Sequence, residues 1–130
     1  MILVPAERKI PMVRPKNIRS AMENKSKTVK IETFVPEAYA DKVRKAMGKA
    51  GAGKIGDYSF CSFSVKGTGR FLPGKGAKPA IGSVGKFESV KEEKIEARCE
   101  RAKLKKVIKA IKKVHPYEEP AIDVHPLEAM

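Results

Sequence analysis

The chain has 130 residues, with 28 basic and 15 acidic side chains and a formal net charge of +13. That length suits one domain with a single modest core, and an apolar fraction of 42% argues against wholesale disorder. No apolar run approaches the roughly 18 residues that span a bilayer. Met1-Ile2-Leu3-Val4-Pro5 is too short for a secretory core and has no basic residues before it, so the sequence reads as soluble, cytoplasmic and without a membrane segment.

Residues 1–28 hold three prolines and no lasting periodicity, and residues 1–29 carry seven basic side chains against two acidic ones. This segment reads as a basic, disordered or loosely docked arm. Met22 is a plausible natural start, which would make residues 1–21 an over-extended beginning. Residues 29–130 are expected to form the folded domain. Val29, Ile31, Thr33 and Val35 alternate with Lys30, Glu32 and Phe34, a strand pattern. Pro36-Glu37 suits the first turn of a helix. Tyr39, Val43, Ala46, Met47 and Ala50 then make one apolar stripe, which Gly51 ends and Gly53 and Gly56 continue as a turn.

A second strand is predicted from about Tyr58 to Lys66. Six glycines follow between 67 and 85, with Pro73 and Pro79 among them. This excursion reads as a hairpin extension with Arg70-Phe71-Leu72 and Ala80–Val84 as its arms. A third strand spans roughly Val90 to Cys99, with Ile95, Ala97 and Cys99 on one face. A second helix runs from about Arg101 to Val114, striped by Leu104, Val107, Ile108 and Ile111. Pro116 disfavours helical geometry at His115 and stops it. Ala121–Val124 makes a short fourth strand. The order β-α-β-β-α-β predicts an α+β, ferredoxin-like fold, a four-stranded antiparallel sheet with two helices on one face. The other face is left uncovered, and if apolar it must find a partner, usually another copy.

Four blocks now stand in order: Gly53-Lys54-Ile55-Gly56-Asp57-Tyr58-Ser59-Phe60-Cys61-Ser62-Phe63, Gly67-Thr68-Gly69-Arg70-Phe71-Leu72-Pro73, Ile81-Gly82-Ser83-Val84-Gly85 and His115-Pro116-Tyr117-Glu118-Glu119-Pro120-Ala121. Together they resemble the inserted middle domain of the YqfO branch of the Nif-three-like family, over about residues 30–127. The resemblance implies a free-standing version of that insert, similar in fold to PII signalling proteins and CutA, which are small trimeric proteins. It does not carry over the family's dinuclear metal centre and hydrolase activity. Those belong to a flanking domain whose His-rich motifs are absent from a chain with two histidines, His115 and His125.

The block from His115 to Ala121 sets an imidazole, a phenol and two carboxylates between prolines that fix the backbone. Imidazole with carboxylate suits zinc or a similar divalent ion, which nominates His115 and Glu119 as ligands. Adjacent carboxylates in an extended segment point to opposite sides, so a closed site would need Cys61, His125 or a neighbouring subunit. The competing reading is structural: the prolines set the bend, Tyr117 packs, and a carboxylate bonds a nearby backbone or tyrosine. The glycine-rich segment lacks P-loop spacing. Its glycines could let backbone N–H groups approach an anion beside Lys66, Arg70, Lys75 and Lys78, or they simply shape a loop.

Cys61 and Cys99 fall in separate predicted strands and read as reduced, small buried side chains. Cys61 with His115 could form a thiolate–imidazole pair, but no third orienting group stands out. The predicted third strand has no aromatic residue and the first only Phe34, so specific nucleic-acid recognition is not expected. Lys103, Lys105, Lys106, Lys109, Lys112 and Lys113 read as a solvated helix face. The sequence favours binding or regulation over catalysis, in a homo-oligomer, a trimer by resemblance. The expected surface for a small ligand or protein partner combines Tyr58, Cys61, Phe63, Gly67, Gly69, Arg70, His115, Tyr117, Glu118 and Glu119. The alternative is a CutA-like divalent metal-binding protein or a metal-assisted hydrolase. No cofactor is implied beyond that metal.

Overall fold

Alternation at the start of the domain forms a strand because every second side chain enters the core. In the computed structural model, which describes residues 26–128, β1 spans Thr28–Pro36, and Val29, Ile31, Thr33 and Val35 are fully buried. A 3₁₀ turn, Glu37–Tyr39, leads into α1 (Ala40–Lys49). Then come β2 (Phe63–Phe71) and β3 (Glu88–Glu100). A second 3₁₀ turn, Arg101–Lys103, opens α2 (Leu104–Val114), and β4 spans Ile122–Leu127. The strands form one antiparallel sheet in the order β2-β3-β1-β4. The predicted ferredoxin-like α+β arrangement is the one observed. Ile31, Val35, Ile95 and Ala97 of the sheet meet Val43 and Met47 of α1 and Val107 and Ile111 of α2 in the core. No helix among the described residues is long and apolar enough to cross a membrane.

Several boundaries differ from expectation, each for a local reason. The second strand starts at Phe63, not Tyr58, and runs on to Phe71. Extending the register of Phe63 opposite Glu96 would set Cys61 opposite Arg98. That carbonyl is already taken: Gly53 N–H donates to Arg98 O at 2.6 Å, and Cys61 N–H donates to Gly53 O at 2.9 Å. The stretch 53–61 therefore folds back as a loop, with Phe60 at φ 59°. Ala80–Val84 is not a hairpin arm. Residues between β2 and β3 form a loop pinned by Gly85 N–H to Pro73 O at 2.9 Å and by Lys78 N–H to the Glu118 carboxylate at 3.1 Å. The fourth strand continues to Leu127 through Pro126, which has no N–H to donate and is tolerated on an edge strand. Order reaches upstream of Val29. Arg101 ties Ser26 O through Nε and Lys27 O through its backbone N–H, both at 2.7 Å. The arm expected over 1–28 lies, up to residue 25, outside the described residues.

The sheet face away from the helices is charged across its middle. Glu32 and Glu96 stand directly opposite on β1 and β3, a like-charge pair that destabilises a sheet when left alone. Lys94 Nζ lies 3.5 Å from Glu32 and 3.6 Å from Glu96, Lys30 Nζ lies 3.5 Å from Glu96, and His125 Nε2 lies 3.1 Å from Glu32. Burial alone would raise the pKa of Glu32, but the His125 hydrogen bond and the Lys94 charge outweigh it and hold the carboxyl below its ordinary value. Exposed apolar surface on this face falls on β2, where Phe63 and Val65 are 63% and 50% exposed.

The loop that displaces the start of β2 rests on Gly53, at φ +81°, where a Cβ would sit 2.3 Å from Cys61 O. Gly53→Ala should lower the urea midpoint by more than Gly56→Ala, which has open space and incurs only the left-handed backbone cost of about 1–2 kcal/mol. Equal midpoints would remove this account of the displaced strand.

Candidate functional site

The site begins where α2 stops. Pro116 requires an extended residue before it, and His115 takes φ −71°, ψ 133° while its N–H closes the helix on Ile111 O at 2.9 Å. The imidazole turns inward and is buried. Nε2 lies 2.8 Å from Phe34 O. A carbonyl can only accept, so Nε2 carries the hydrogen and Nδ1 keeps its lone pair. Nδ1 accepts the Tyr117 N–H at 3.2 Å. Burial lowers the pKa of His115, and the Phe34 carbonyl and the Glu92 charge only partly oppose it, so the ring is held neutral.

This geometry bears on the metal reading. His115 has no lone pair left for an ion, and Glu119 stands exposed without it. Among the described residues no three His, Cys, Asp or Glu side chains gather as a metal set. The thiolate–imidazole pair fails for the same reason, since Phe34 and Tyr117 occupy both ring nitrogens. Cys99 is buried, its thiol donates to Glu100 O at 3.2 Å, and burial raises its pKa.

The backbone held by His115 carries Tyr117 onto the open end of the sheet. Its ring meets Phe71 edge-on at 5.9 Å between centroids, and its hydroxyl donates to Glu92 Oε2 at 2.5 Å. Burial first, then the bond and charge of Glu92, pushes the phenol's pKa well above its ordinary value, so the hydroxyl remains a donor. Glu92 is 8% exposed. It fits only because residue 69 is glycine: a Cβ there would lie 1.9 Å from Glu92 Oε1.

Between the end of β2, the 73–81 loop and the Tyr117–Ala121 turn lies a groove of about 350 Å³. Phe34, Phe71, Pro79 and Ile81 wall it, Tyr117 and Glu92 contribute polar groups, and Arg70, Glu118 and Glu119 also line it. The predicted residues thus divide. Gly69, Arg70, Tyr117, Glu118 and Glu119 come together here, with His115 supporting them from below. Gly67 does not line the groove, and neither do Tyr58, Cys61 and Phe63. Tyr58 is 76% exposed in the folded-back loop and Phe63 opens β2. Glu92, Phe34 and Phe71 complete the groove and were not in the predicted set. Glu92 reads in sequence as one more outward charge on a strand, and only the β2–β3 register, which sets it opposite Gly67, brings its carboxylate diagonally onto Gly69.

Comparison with known proteins agrees with this architecture. No family model matches the chain. It is 51% identical over 98 residues to the GTP cyclohydrolase 1 type 2 homolog of Halalkalibacterium halodurans, covering 75% of this chain and 26% of that protein. The Bacillus subtilis homolog of the same name is 50% identical over 99 residues, covering 76% of this chain and 26% of that protein. A Bacillus cereus protein related to NIF3 superposes with a TM-score of 0.70 at 46% identity, over 81% of this chain and 27% of that one. Over these residues the chain is a relative of the Nif-three-like proteins. It spans about a quarter of the length of the curated relatives it matches. CutA1 from Shewanella sp. SIB1 superposes with a TM-score of 0.61 at 15% identity, over 82% of this chain and 86% of that one, a likeness of fold.

Two outcomes follow from the His115–Tyr117 geometry. A histidine with a lowered folded pKa binds fewer protons than its unfolded counterpart, so stability rises with pH. Its contribution is complete above the ordinary value of about 6.5 and declines as pH falls from there toward the lowered folded value. Urea midpoints should therefore drop between pH 7.5 and 5, and His115→Gln should flatten that slope; an unchanged slope would refute the neutral assignment. Tyr117→Phe strips Glu92 of its donor and should cost about 1–3 kcal/mol, read from the same denaturation curves at pH 7.5.

Proposed function

We propose that this Nif-three-like domain is a regulatory binding module that takes a small ligand in the groove and works as a homo-oligomer, a trimer. The observation that carries the reading is convergence. Residues 69–81, Glu92 and residues 117–121 come from separate parts of the chain, yet together they line one apolar groove with a few polar groups inside, the usual make-up of a small-ligand site. Binding is favoured over catalysis because neither the imidazole nor the phenol at the groove is poised for proton transfer. The imidazole has both nitrogens engaged, and the phenol is held protonated. The GTP chemistry in the relatives' name is left out of the proposal. One arginine among three lining carboxylates is no cradle for a triphosphate.

Self-association is supported by β2. It is a nine-residue edge strand bearing exposed Phe63 and Val65, and a long open edge is a template for another chain. Native mass spectrometry of the full chain, purified without chelator, tests both parts. Three subunits retaining a defined organic mass are expected, with hydrogen-exchange protection at 69–81 and 117–121 that disappears when that mass is removed. A bare monomer without such protection defeats the proposal, and stoichiometric metal in place of an organic mass would return the metal-binding alternative.

A further inference from the structure

We infer that the groove's ligand is an organic cation, an amine or amidine-type head on a compact apolar body, with the head set against Glu92. This rests on the groove being a ligand site and names what that site would take. Burying a carboxylate is costly unless a cation compensates it. Elsewhere on this sheet the rule is kept: Glu32 and Glu96 have lysines and Glu93 has Arg44 within 4.0 Å. Glu92 is as buried as Glu32, yet none of its ion pairs appears among the described residues. Its one side-chain bond is the Tyr117 hydroxyl on Oε2. Oε1 accepts nothing from a described side chain, and it is not sealed in the core, since no fully buried side-chain oxygen lacks a partner. Glu92 and Gly69, against which Oε1 packs, both line the groove, so this free acceptor lies beside whatever occupies that space.

The surroundings agree in sign. Glu92, Glu118 and Glu119 outnumber Arg70 along the groove, on a chain whose net charge is +13. The local field therefore opposes the field of the molecule as a whole, which selects for a cation at this one place. Phe34, Phe71 and Tyr117 bring aromatic rings to the same space, and rings attract organic cations once water is displaced. The volume, about 350 Å³, lies at the low end of the roughly 300–1,000 Å³ typical of small-molecule sites. The occupant is a small molecule, not a folded partner.

Matched probes test this in the isotopically labelled full chain, followed by amide chemical shifts. Phenethylamine and benzamidine carry the cation, phenylacetate reverses the charge and 2-phenylethanol removes it. The cations should shift amides of 69–81 and 117–121 saturably, at least tenfold more tightly than phenylacetate or 2-phenylethanol. Glu92→Gln, which can still accept from Tyr117, should weaken the cations at least tenfold. If the neutral or anionic probe binds that groove as tightly as the cations, or if Glu92→Gln binds them unchanged, the cation inference falls while the ligand site stands. If no probe shifts those amides, both fall. The comparison of probes on the unaltered chain decides the matter even should Glu92→Gln fail to fold.

Discussion

The hydrogen bond from His115 Nε2 to the carbonyl of Phe34 organises the functional end of this domain. It joins the first residue beyond α2 to the central strand β1 across 81 positions of sequence. It also fixes the tautomer, because a carbonyl leaves the ring no alternative to donating. Once Nδ1 is bare it captures the Tyr117 N–H, and the phenol ring is aimed at Glu92. Each group therefore orients the next, from a part-buried backbone carbonyl to the inside of an open groove. The two prolines at 116 and 120 stiffen the segment in between.

The same sheet face treats its carboxylates in two ways. Across β1 and β3, Glu32 and Glu96 would repel, and Lys30, Lys94 and His125 surround them. That lattice covers the middle of the open face with mutually satisfied charge, so the uncovered face does not need an apolar partner over its whole width. Four residues before Glu96, Glu92 meets a phenol and space instead of a cation. The contrast arises from register, since the small residue at 69 leaves room for the carboxylate to lie flat against β2.

Much of the fold was legible in the sequence. The stripes of Val29–Val35 and of Leu104–Ile111 each bury one face, and a buried face imposes its own period. The start of β2 was not legible, because the alternation over Tyr58–Ser62 continues past the point where Gly53 has already claimed the Arg98 carbonyl. Half of the groove could be read as a motif, since the His115–Ala121 turn and Gly69-Arg70 are local. Its other half depends on which residues of β1, β2 and β3 lie side by side. Sequence shows that His115 has two nitrogens, but not that a backbone carbonyl and a backbone amide already occupy them. That hidden occupancy is why a ligand-like motif resolves into a positioning device.

The two borders of the sheet are unequal. β2 offers nine residues of open backbone, whereas β4 is six residues long and contains Pro126. Endless strand-on-strand growth needs a complete ladder on both borders of every molecule. Here the β4 border is shorter and lacks a donor at Pro126, its fifth residue, which makes it a poorer template than β2. The longer and more complete run of open backbone therefore lies on the β2 border.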